Sequence, residues 1–145
     1  MKEIDKRQQY TMPISTIFLI LVLYGIFDSL WFSYSLPKYV DVVDAIHKRD
    51  ITGFELGWYG ILAYITMAIT TYVLVVRDAK ARGELLVKAV CLALAMYGVF
   101  NFTNATMFGR EWSWKIIVMD TAWGIFVVSA VSLIVHFFMK KNKIK

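Results

Sequence analysis

The stretch IIVMDTAWGIFVVSAVSLIVHFF, Ile116 to Phe138, decides the fold. Its 23 residues contain one carboxylate, Asp120, and one histidine, His136. As a helix at 1.5 Å per residue it covers about 34 Å, enough to cross roughly 30 Å of hydrocarbon. A helix also satisfies its own backbone, which lipid cannot do. Three more runs have the same character, at about residues 14–33, 56–76 and 85–107. The reading is an all-α polytopic membrane protein, a four-transmembrane-helix bundle forming a single domain over residues 1–145.

Composition agrees. The chain is 59% hydrophobic, with a mean hydropathy of +0.57. Soluble domains sit nearer 45–50% apolar, and so small a globule cannot bury the excess, so the lipid bilayer is the expected solvent. A cleaved leader is the other reading of the first run. Asp28 interrupts it and no small-residue cleavage pattern follows, so a span is expected.

The formal charge of +5 follows the topology. Lys2, Lys6, Arg7, Arg77, Lys80, Arg82, Lys88, Lys140, Lys141, Lys143 and Lys145 fall on one side of the four spans. Lys38, Lys48, Arg49, Arg110 and Lys115 fall on the other. Positive-inside places the richer side, with both termini, in the cytoplasm. The membrane is a cell inner or plasma membrane, or that of a virion. No basic face suited to nucleic acid is seen. Cys91 is alone, which excludes an intrachain disulfide. With His47 and His136 it makes no metal-ligand spacing. Phosphate-loop, dinucleotide and nucleophile-elbow motifs are absent, so no cofactor is expected. Asn101-Phe-Thr103 and Asn104-Ala-Thr106 match the glycosylation sequon but lie inside a span.

The outer loops differ. Gly109 to Lys115 is short and makes the last two spans a hairpin, with Gly109 ending the third. Between Tyr34 and Gly53, Tyr39, Val40, Val43 and Ile46 recur at helical spacing among Asp41, Asp44, Lys48 and Arg49. This predicts a short amphipathic helix in the first outer loop, with Pro37 in its first turn; a solvated loop is the alternative. Trp58, Tyr59, Trp112 and Trp114 read as an interfacial aromatic belt. Thr66, Thr70 and Thr71 read as bonded to their own backbone.

Two carboxylates stand inside the spans, Asp28 and Asp120, each with a tryptophan three residues on, Trp31 and Trp123. An ionised carboxylate there costs about 2.5–3.5 kcal/mol. Tyr24, Asp28 and Trp31 share one helical stripe, and Tyr97, Asn101 and Asn104 repeat that spacing. The five-residue runs from Tyr24 and from Tyr97 also resemble each other, as a duplicated hairpin would or as chance allows. With the first span ending near Ser33, Asp28 lies about 7 Å inside it and Asp120 about 6 Å inside the fourth. Equal depth without a basic partner predicts a shared site: Asp28 and Asp120 sharing a proton or holding a cation, Asn101 and Asn104 as co-ligands, tryptophan N–H groups as donors. The same residues would also serve as hydrogen-bonding glue between helices.

The run Tyr97-Gly98-Val99-Phe100-Asn101-Phe102-Thr103-Asn104 resembles a pattern in small four-span membrane proteins. These form a family catalogued only as a domain of unknown function, with members in bacteria and some large DNA viruses. Trp112 or Trp114, then Asp120, Trp123 and Gly124, match its later positions. Asp28 and Trp31 match an Asp-x-x-Trp on its first helix. Asparagine at 101 departs from the aspartate of many members. The resemblance implies topology and no activity.

Three functions are compatible with these residues. One is a non-enzymatic structural or scaffold protein, alone, as a homo-oligomer or in a larger envelope assembly. The second is a small-solute, cation or proton transporter or channel component using Asp28 and Asp120. The third is a membrane enzyme acting on lipid, which the pattern favours least.

Overall fold

The computed structural model describes residues 6–47 and 53–142. Helix α1 spans Lys6–His47 and α2 spans Gly53–Thr70, passing into a π-helical turn at Thr71–Val76. Helix α3 spans Arg82–Ala93 and continues through a π-helical stretch, Leu94–Gly98, into α4, Val99–Phe108. A single 3₁₀ turn, Gly109–Glu111, leads to α5, Trp114–Asn142. Stretches Ile14–Tyr39, Gly57–Val76, Arg82–Glu111 and Trp114–Lys140 are long and apolar enough to cross a membrane. The molecule is an all-α, four-span integral membrane protein.

Side-chain contacts fix the register. Tyr24 meets Thr71 and Asp28 meets Tyr64, so α1 and α2 run antiparallel. Asn101 meets Asp120 and Gly124 meets Tyr97, so the α3–α4 rod and α5 do too. Asp28 meets Trp123 and Phe27 meets Phe126, which sets α1 antiparallel to α5. Gly109 ends α4 with φ of 61°, a conformation open to glycine, and this makes the tight turn possible.

The first helix is longer than its sequence suggests. It does not end near Ser33, and residues 39–47 continue it rather than forming a separate amphipathic helix. Tyr24, Asp28, Trp31, Ser35, Tyr39 and Val42 follow one another at steps of three or four, an unbroken inward stripe. Pro37 therefore sits inside the helix, off that stripe, where it removes only the hydrogen bond to the Ser33 carbonyl. Lys48 and Arg49, the basic end of the expected amphipathic segment, lie outside the described residues.

Two packed regions follow. Near the end that carries the termini, Leu85, Ala89 and Ala93 of α3 are fully buried with Val127, Val128, Val131 and Val135 of α5. Small side chains let helices approach closely in lipid, where apolar burial alone gives no driving force. Thr16, Ser132 and His136 are buried at this end too, while toward the opposite end polar and aromatic residues predominate in the interior. Trp112, Ile116, Ile117 and Val42 form a second apolar cluster around them. Phe18, Ile26, Leu30, Ile61, Phe102 and Phe126 face outward, as a lipid-facing surface requires.

Candidate functional site

Asp28 and Asp120 each accept two hydrogen bonds, one on each oxygen, always from another helix. Asp28 Oδ2 accepts from the Tyr64 hydroxyl of α2 at 2.9 Å. Its Oδ1 accepts from the Trp123 indole of α5 at 2.8 Å. Asp120 Oδ1 accepts from the Tyr39 hydroxyl of α1 at 2.8 Å. Its Oδ2 accepts from the Asn101 amide of α4 at 2.7 Å. All four donors are neutral. Among the described residues neither carboxylate takes part in an ion pair. Lys38, next to Tyr39, turns instead to the Tyr34 ring, 3.6 Å from its centroid, and to the Met119 sulfur.

Asn101 is fully buried and held in one orientation. Its Oδ1 accepts from the Trp112 indole at 3.0 Å, and an indole N–H can only donate. Its Nδ2 therefore points at Asp120, and also donates to the Tyr97 carbonyl at 2.8 Å. An aspartate at this position would set two carboxylates 2.7 Å apart in place of a donor and an acceptor. The asparagine thus suits its partner.

The two carboxylates form two tiers. Asp120 and Trp123 are three residues apart on α5, about 4.5 Å along the axis. Asp28, bound by Trp123, thus sits roughly one turn deeper than Asp120. Equal depth does not hold, because α1 runs on past Ser33. Asp28 lies about 16 Å from the end of its apolar stretch at Tyr39. The tiers touch nonetheless. The Trp31 and Trp123 rings stack with centroids 4.6 Å apart and planes 4° from parallel. No hydrogen bond joins the two carboxylates directly.

The structure thus brings together Asp28, Asp120, Asn101, Trp123 and Trp31. Trp31 contributes by stacking and does not donate to a carboxylate. Three expected members stand differently. Tyr24 is buried a turn below Asp28 and bonds the Thr71 hydroxyl at 2.8 Å, which also removes Thr71 from the backbone-bonded threonines. Thr66 and Thr70 do bond their own backbone. Tyr97 packs its ring on Gly124, where an added Cβ would overlap it. Asn104 is only partly buried and makes no hydrogen bond to the site.

Tyr39, Tyr64 and Trp112 are network members that the sequence reading missed. Tyr39 lies 11 residues beyond Asp28 on the same stripe, a signal lost by ending the helix early. Trp112, which its sequence position places in the aromatic belt, is only 8% exposed, against 61% for Trp58 and 68% for Trp114. Tyr64 is a phenol in the middle of a span, which needs a partner there. No group of three or more metal-ligating side chains occurs among the described residues.

Fold and site together define a four-span integral membrane protein with an internal polar network. Residues 13–137 match the family described as predicted membrane protein, DUF2177, and the chain belongs to that family. No curated protein and no solved structure matches the chain.

Proposed function

We propose that this protein is a non-enzymatic structural or scaffold component of its membrane, and that the polar network locks its helices in register. One observation carries the reading: each oxygen of Asp28 and Asp120 is taken by a neutral donor from a different helix. Interhelical hydrogen bonds in membranes are worth about 0.6 kcal/mol on average and up to about 1.7. Four give roughly 2–7 kcal/mol, against roughly 5–7 for two ionised carboxylates. At their upper value the four bonds offset that cost and at the average they fall short by roughly 3–4 kcal/mol, so the network's use is alignment rather than net stability. A helix slipped by one turn would leave buried donors without acceptors. The charge asymmetry supports an orientation with both termini cytoplasmic.

A second reading is a cation or proton path through the same carboxylates. Two observations favour it. Among the described residues no basic side chain balances the carboxylates, and the buried Ser35 hydroxyl makes no hydrogen bond there. Reconstituted liposomes separate the two. The scaffold reading expects no dissipation of a pH or cation gradient beyond protein-free liposomes. A flux that disappears in Asp28→Asn or Asp120→Asn, with folding intact, would overturn it in favour of transport.

A further inference from the structure

Outside the network, charge and cavity coincide at the end of the bundle that carries the termini. A groove of about 490 Å³ is lined by Arg82, Leu133, Ile134, Phe137, Phe138 and Lys140, with buried His136 in its wall. A neighbouring groove on the other side of His136 brings Arg77 and Lys80 to the same rim. The basic residues here are not equivalent. Arg77 is paired with Asp78 at 3.0 Å, and Lys88 with Glu84 at 2.7 Å. The side chains of Lys80, Arg82 and Lys140 pair with no carboxylate among the described residues, and of these Arg82 and Lys140 line the first groove.

From these two cations an apolar lane leads along α5 over Phe137 and Ile134. Phe137 and Phe138 are 58% and 47% exposed on the lipid-facing surface. A cationic rim above an outward apolar lane is complementary to a molecule with an anionic head and a hydrocarbon tail. A free anion would use the rim alone and a neutral lipid the lane alone. We propose that this groove binds an anionic phospholipid, its phosphate between Arg82 and Lys140 and an acyl chain along Ile134 and Phe137. The site is separate from the Asp28–Asp120 network and does not depend on what that network does.

The test is binding of phosphatidylglycerol to the full-length protein in neutral detergent, read by native mass spectrometry or by the rise in melting temperature. Phosphatidylcholine and inorganic phosphate are the comparison probes. Each basic residue near a membrane surface is worth about 1 kcal/mol toward anionic lipid, so Arg82→Gln with Lys140→Gln should weaken phosphatidylglycerol binding about thirtyfold. The charge-keeping pair Arg82→Lys with Lys140→Arg should bind nearly as the parent does. Lys38→Gln with Arg110→Gln, at the opposite end, should change nothing. The proposal is overturned by any of three results. These are undiminished binding in the Gln pair, equal loss in the Lys38 and Arg110 control, or displacement of the lipid by inorganic phosphate.

Discussion

At the end near the termini, α3 and α5 meet through Ala89, Ala93, Val131 and Val135, side chains with almost no freedom and no polar atoms. At the other end the helices meet through Asp28, Tyr64, Trp123, Asp120, Tyr39 and Asn101, which are larger and directional. The first contact depends on shape and would tolerate rotation of one helix by a small angle. The second depends on which atom faces which, and a rotation breaks it. In lipid neither gains from hydrophobic burial, so close packing and hydrogen bonding divide the task. The Ala–Val half brings the helices together; the polar half says where they stop.

That contrast can be broken most forcefully at the boundary between the halves. Gly124→Val puts a Cβ into the ring of Tyr97 and should cost about 3 kcal/mol, seen as lost folded yield in detergent. Ala89→Leu overpacks the small-residue face and should cost about 2 kcal/mol in thermal unfolding. Tyr39→Phe and Tyr64→Phe each remove one donor and should cost about 0.6–1.7 kcal/mol. A cycle pairing Tyr64→Phe with Asp28→Ala should show most of the Tyr64 effect vanishing once its acceptor is gone. Phe102→Leu, on the lipid face, should stay within about 0.5 kcal/mol. If Phe102→Leu proved as costly as Tyr64→Phe, the division between inward network and outward surface would fail.

The four spans were legible because apolar runs of this length have one common solution in a bilayer. The pairing of Asp120 and Asn101 could be sought from the stripes they share with Trp123 and Tyr97. What stayed hidden was the length of α1. Pro37 and the polar residues after it look like a boundary, but an unbroken inward stripe outweighs one missing backbone bond. With α1 ended at Ser33, Tyr39 falls outside the bundle and Asp28 too near the surface. Tyr64 was hidden for another reason: a lone tyrosine on the second span carries no motif, and only the antiparallel register shows that it meets Asp28. Trp112 shows that an indole beside an interface can turn inward once an asparagine oxygen needs a donor.

The central claim is that the carboxylates serve as acceptors in a cross-helix lock. Comparing the melting temperatures of Asp120→Asn and Asp120→Ala in one detergent tests it most directly. Asparagine can keep both contacts, its oxygen accepting from Asn101 and its amide donating to the Tyr39 hydroxyl. Alanine leaves a buried hydroxyl and a buried amide without their acceptor, at about 1–3 kcal/mol each. The account predicts that the asparagine variant melts close to the parent and the alanine variant well below it. Asparagine falling as far as alanine, or neither shifting, would contradict the lock.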